Sequence, residues 1–251
     1  MYYALLFIVG LAFGSFASVI IHRLHTKESG ILFGRSKCPH CAKALGAIDL
    51  IPVVSYIANR FKCRHCQGPI SAHYPLLELT MGAIFVVTGM KVGMVSTPLL
   101  IFYLAISFAF IILAFYDFLF KEVSDEVVLP ATILAFAVNW LVLGHPITNL
   151  VTAIAIPVLF FSFLFTISKG NWLGGGDIRI GALMGAILGW PHVLIGLFLG
   201  YVLGAVFSLI GLATGRLQRK SQIPFAPFLL LGTYITMFWG QKILSWYLGV
   251  L

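Results

Sequence analysis

Asp177 follows three glycines, Gly174-Gly175-Gly176, at the opening of an apolar run, and Asp117 closes another in Phe115-Tyr116-Asp117. The chain has only eight acidic residues in 251, and a carboxylate at membrane depth is costly enough to mark a functional site. Two carboxylates that hold one water between them can hydrolyse an amide, one ionised as base and the other protonated as acid. Their mutual repulsion enforces that split. Asp177 stands at a predicted helix start, where the dipole favours its anion, and Asp117 at a helix end. The expected assignment is Asp177 as resting base and Asp117 as proton carrier, titrating as one coupled unit. Gly174, Gly175 and Gly176 are candidate substrate contacts, because a backbone without side chains lets an extended chain approach and offers it amide hydrogen bonds. A helix-capping Asp after a glycine turn would explain Asp177 alone. It does not explain a second carboxylate on the same membrane face.

The four cysteines lie in Cys38-Pro-His-Cys41 and Cys63-Arg-His-Cys66, with 21 residues between the pairs. Two such knuckles can fold together and offer Cys38, Cys41, Cys63 and Cys66 to one tetrahedral Zn²⁺, a closed and therefore structural site. Disulfides, a redox-active pair, or His40 or His65 in place of a thiolate are the competing readings. Lys37, Lys62 and Arg64 would offset the charge of a tetrathiolate centre. Glu78, just inside an apolar segment, suits either chemistry or pairing with a basic loop residue. Asp125 and Glu126, after Ser124, read as first-turn helix acids. The sequence contains no His-Glu-x-x-His, Gly-x-Ser-x-Gly or phosphate-loop lysine motif.

The elements that must position these groups are membrane helices. With 60% hydrophobic and 10% charged residues and a mean hydropathy of +1.02, the chain cannot cover a water-facing surface, since soluble proteins average about 25% charged residues. Apolar segments fall at 1–22, 75–95, 97–117, 126–144, 148–167, 177–190, 193–214 and 225–248. The expected fold is an all-α polytopic membrane protein of about eight transmembrane helices, with a cytoplasmic zinc-binding loop between the first two. Its expected divisions are a first helix at 1–22, the tetracysteine loop at 23–74 and a seven-helix peptidase core at 75–251. The first segment lacks a basic start and its positive charges follow it, so it reads as a retained span rather than a cleaved signal. Gly10, Gly14, Ser15 and Ser18 give that span a small-residue packing face.

With both termini outside, fourteen of the sixteen Lys and Arg fall on the cytoplasmic side and only Lys91 and Lys242 outside, as retention of positive charge requires. The same orientation brings Asp117 and Asp177 to the cytoplasmic edge. The net charge of +8 thus reflects topology in membrane lipid, and nucleic acid is not an expected partner. The residues point to a membrane-embedded aspartyl protease. A transporter using the aspartates as an ion relay, and a thiol–disulfide oxidoreductase, are the other functional classes.

The chain resembles the type IV prepilin peptidases over nearly its whole length. The resemblance rests on Gly14-Ser15-Phe16-Ala17-Ser18-Val19 with Arg23-Leu24, the two cysteine knuckles and Asp49-Leu-Ile-Pro-Val-Val-Ser-Tyr56. It continues through Pro69-Ile-Ser71, Tyr74-Pro75, Tyr116-Asp117, Gly174-Gly-Gly-Asp177 and Ile223-Pro224-Phe225-Ala226-Pro227-Phe228. Ser18, Phe61, Val123-Ser124 and Arg179 depart from residues common in the family, Phe61 standing where Gly is frequent. The resemblance implies a bacterial inner-membrane enzyme that cuts the basic leader from type IV prepilins or type II secretion pseudopilins at the cytoplasmic face. It further implies methylation of the new N-terminus with S-adenosylmethionine, with Asp117 and Asp177 catalytic. A peptidase without methyltransferase activity is the nearer alternative. The expected substrate has a basic cytoplasmic segment running directly into an apolar helix, with a small residue at the cut.

Overall fold

Long runs of Leu, Ile, Val and Phe in lipid can satisfy their backbone groups only within a helix or a closed barrel. In the computed structural model they are helices: α1 (Tyr2–Thr26), a short α2 (Val54–Ala58), α3 (His73–Val92), α4 (Thr97–Phe120), α5 (Asp125–Leu141), α6 (Ile147–Ser168), α7 (Gly175–Leu188), α8 (His192–Ala213) and α9 (Ala226–Val250). The structure describes residues 1–27, 34, 36–38, 40–93, 96–218 and 223–250. Pro39 of the first knuckle and Arg35, Arg219 and Lys220 of the charge distribution lie outside the described residues. Among the described residues there is no strand, only isolated bridges pairing Lys37 with Ala44 and Lys62 with Pro69. The eight longer helices follow the eight apolar segments in order. Five of them, α1, α3, α4, α6 and α8, are both long and apolar enough to cross a membrane, so the protein is a multi-pass membrane protein. The 14 residues of α7 reach about 21 Å, short of the ~30 Å of hydrocarbon.

The chain forms two compact units, Met1–Ile112 and Leu113–Leu251. In the first, α1 packs along α3 through the small-residue face expected of it. A Cβ on Gly14 would lie 2.6 Å from the Cα of Glu78, so any larger residue would force the helices apart at the level of that carboxylate. The two knuckles are built alike. Cys38 N–H donates to the Lys43 carbonyl and Ala42 N–H to the Cys38 carbonyl. In the second, Cys63 N–H donates to Gly68 and Gln67 N–H to Cys63. Ala42 and Gln67, four residues after each leading cysteine, both take φ 57. Phe61 has φ 67, which explains why glycine suits this position. A non-glycine residue there costs roughly 1–2 kcal/mol, and the ring contact with Tyr56 at 4.9 Å offsets part of it.

In the second unit α7 packs against α5, α6, α8 and α9. It buries Ile180, Gly181, Leu183, Met184, Gly185, Ala186 and Ile187. Its apolar residues are enclosed by these four neighbours, and α7 carries Asp177 into that setting at its first turn.

Candidate active site

Asp117 sits one turn before the end of α4, and Asp177 is the third residue of α7. Both are buried, at 7% and 8% exposure, and both line one cleft of about 1140 Å³ in the C-terminal unit. They are close enough to feel one another's charge. The structure therefore brings together the two residues that the sequence paired across sixty positions.

Each carboxylate is held by one backbone amide. Gly174 N–H donates to Asp177 Oδ2 at 3.2 Å, while Asp177 N–H returns a bond to the Gly174 carbonyl at 3.1 Å. This reciprocal pair closes the first turn of α7 and fixes the side chain. Ala226 N–H, the first residue of α9, donates to Asp117 Oδ2 at 3.1 Å. The Ile223–Phe228 segment thus has a local purpose: Ile223, Pro224 and Phe225 line the cleft and Ala226 orients the first aspartate. Asp117 consequently faces the N-terminus of α9 as well as the C-terminus of its own helix. Helix dipoles alone no longer assign base and acid, contrary to the argument from sequence.

The three glycines divide by role. A Cβ on Gly176 would lie 2.5 Å from Val123 Cγ2 and 2.9 Å from Val123 Cβ, whereas one on Gly175 meets nothing within 4 Å and one on Gly174 only the Gly176 nitrogen at 3.9 Å. Gly176 is required by packing; Gly174 and Gly175 leave open space in the cleft. The acids expected at a helix start are there. Ser124 Oγ donates to Glu126 at 2.8 Å, and Asp125 pairs with Arg179 at 2.7 Å, joining the start of α5 to α7. Both partners of that pair are more than 40% exposed, so its worth is small.

Sequence reading missed Tyr201. Its ring, on α8, packs against Phe225 at 5.0 Å and lines the cleft. Its hydroxyl is buried with no hydrogen-bond partner among the described residues. A buried hydroxyl normally finds a partner, and this one lies in the same cleft as Asp177. A single tyrosine in an apolar helix gives no signal in the sequence; only the fold brings it here.

In the N-terminal unit the four cysteine sulfurs lie within 4.8 Å of one another, with Cys38 and Cys66 Sγ 3.9 Å apart. Four thiolates about 2.3 Å from a central zinc stand roughly 3.8 Å apart, so the donor set fits a metal ion. His65 N–H donates to Cys63 Sγ at 3.4 Å, an outer contact of the kind that steadies metal ligands. His40 and His65 turn instead to the Pro69 carbonyl and to Asp49.

Comparison with known proteins gives the same division. Residues 8–92 match the bacterial peptidase A24 N-terminal domain, and residues 103–209 match the type IV leader peptidase family. The chain is 31% identical to a prepilin leader peptidase/N-methyltransferase of Burkholderia pseudomallei (strain 1026b), over 93% of this chain and 84% of the relative. It is 31% identical to one from Aeromonas hydrophila, over 99% and 94%, and 32% identical to one from Bacillus subtilis (strain 168), over 98% and 97%. No solved structure matches the chain. Identity of this order, sustained across almost the full length of several relatives, shows that the chain belongs to the type IV leader peptidase family.

Proposed function

We propose that this protein cleaves the basic leader from type IV prepilins or type II secretion pseudopilins at the cytoplasmic face of the bacterial inner membrane. It then methylates the new N-terminus with S-adenosylmethionine. The observation that carries this reading is the meeting of Asp117 and Asp177, from α4 and α7, in one cleft. One carboxylate takes a proton from a water placed between them as that water attacks the scissile carbonyl carbon; the other gives its proton to the departing amine. Gly174 and Gly175 admit the extended backbone at the cut, and the Tyr201 hydroxyl donates to the negative charge growing on the carbonyl oxygen. The distribution of Lys and Arg supports a cytoplasmic position for this edge, with both termini outside. Cys38, Cys41, Cys63 and Cys66 hold a structural Zn²⁺ that organises the segment 23–74 ahead of the peptidase core at 75–251, the first helix preceding both. An ion relay is disfavoured, because it gives the tetracysteine loop no task.

The test is incubation of the purified protein with a prepilin and S-adenosylmethionine, followed by mass spectrometry. Loss of the leader and gain of one methylene mass on the mature N-terminus is expected. An intact precursor, or a cut ten residues or so (about 15 Å of helix) inside the apolar segment, would contradict the reading.

A further inference from the structure

Carboxylates are scarce in this chain, and the protein itself engages nearly all of those described. Asp49 accepts from the Gly46 N–H, Glu78 from the Val53 N–H, Asp117 from the Ala226 N–H and Asp177 from the Gly174 N–H. Asp125 pairs with Arg179, and Glu126 accepts from the Ser124 hydroxyl. Glu122 is the exception. It is exposed, it lines the cleft that holds both aspartates of the active site, and its carboxylate has no hydrogen bond or ion pair with any described residue.

The backbone on either side of Glu122 is held. Lys121, at φ 57, donates its N–H to the Asp117 carbonyl at 2.8 Å, which closes the last turn of α4. Val123 packs against Gly176, where a Cβ would stand 2.5 Å from its Cγ2. Glu122 is thus presented from a fixed loop, past the end of α4, on the opposite side of Asp117 from the apolar span. Five residues separate Asp117 from Glu122; at a helical rise they cover about 7.5 Å, or about two to three residues of an extended peptide. The charges on the wall also do not cancel. Arg179 is answered by Asp125 at 2.7 Å, so Lys121 is set against Glu122 and the ionised member of the aspartate pair. In a chain of net charge +8, this cleft has a negative balance, and such a balance attracts a cation.

On the reading that this chain cuts a basic leader, we propose that Glu122 is a specificity-determining residue: it receives a lysine or arginine side chain of the leader, about two to three residues before the scissile bond. The contact sets the direction of the substrate in the cleft. With the basic segment at Glu122, the apolar segment continues past Asp117 toward the membrane, and the scissile carbonyl comes between the two aspartates. A chain entering the other way would lay apolar side chains against an ionised carboxylate and strip water from it without a partner. The leader cation takes no part in the hydrolysis, so its pairing with Glu122 acts on binding and falls on KM. An exposed pair of this kind changes affinity by roughly 1.5- to 5-fold; replacing the acid by a cation adds repulsion to that loss.

The experiment uses the full-length protein in nanodiscs of zwitterionic lipid, because an anionic surface would itself gather basic leaders. The substrates are prepilins that differ only in the leader, with its basic residues kept, replaced by Gln, or replaced by Glu. Glu122→Gln should raise KM for the basic leader by roughly 2- to 5-fold, and Glu122→Lys by about 10-fold, with kcat changing less than KM in both. Glu122→Lys should also cut the acidic leader better than the basic one, the reverse of the wild-type order. The difference between the two proteins should shrink at about 0.5 M salt, as charge pairing at an exposed site requires; a structural defect would persist there and would spread evenly over the leaders. A Glu122→Lys protein that keeps the wild-type order of leaders, or whose KM rises equally for all of them, would overturn the proposal. Wild-type protein that cuts none of the prepilins would instead refute the peptidase reading on which it rests.

Discussion

Gly175 and Gly176 are neighbours with the same side chain, yet the structure predicts opposite consequences for adding one methyl group to each. At Gly176 the new Cβ would stand 2.5 Å from Val123 Cγ2 and 2.9 Å from Val123 Cβ. Carbon atoms in contact settle at about 3.5–4.0 Å, so the first turn of α7 or the Val123 loop must move by about 1 Å. Overpacking of this kind costs typically 1–3 kcal/mol of stability. The residue displaced with the turn is Asp177, and an error of about 1 Å in a catalytic group can cost roughly 100-fold in rate. Gly176→Ala should therefore lower the melting temperature and reduce kcat for leader cleavage by about that factor. At Gly175 the Cβ meets no atom within 4 Å, so the folded state should be unchanged. Any penalty must come from the substrate backbone and should appear in KM. Combining Gly176→Ala with Val123→Ala should restore part of the lost rate, since the two residues compete for one space. The assay is steady-state cleavage of a prepilin by the protein in nanodiscs, beside thermal unfolding of each variant. A Gly176→Ala protein with wild-type kcat, or a Gly175→Ala protein with a lowered melting temperature, would refute the division of roles.

Replacing any one of Cys38, Cys41, Cys63 or Cys66 by Ser should lower zinc from one per chain to well below stoichiometry. It should also open the segment 23–74 to limited proteolysis, because metal binding and folding are linked in such sites; metal analysis of reduced wild-type protein showing no zinc would dispose of the centre. Tyr201→Phe removes only the hydroxyl, which has no partner among the described residues. It should lower kcat by roughly 10- to 100-fold with KM nearly unchanged if that group meets the developing oxyanion, and an unaltered kcat would leave the tyrosine a packing residue.

The helices were legible in the sequence because apolar run length in lipid leaves little choice of secondary structure. The aspartates were legible because charge is so scarce in those runs. Boundaries are less so: the first apolar segment ends at residue 22, but α1 continues to Thr26, since nothing in His-Arg-Leu-His breaks a helix. The tetracysteine loop at 23–74 contains the turn Ile48–Leu50 and α2, elements that its cysteine spacing does not reveal. The turn at Val53, with φ 62, was invisible for a physical reason, because a β-branched residue argues against positive φ. Tyr201 and Ala226 reach the aspartates from α8 and α9, and neighbours so distant in sequence become visible only when the bundle is assembled.

The central claim is that Asp117 and Asp177 act as one unit on a single water. It is tested most directly by a double-mutant cycle on leader cleavage, using Asp117→Asn, Asp177→Asn and the pair together. Because groups acting as a unit are strongly non-additive, each single variant should lose cleavage to the background rate and the double variant should be no worse than either. An Asp177→Asn or Asp117→Asn protein that still cuts at an appreciable rate, with the double variant slower again, would contradict the account.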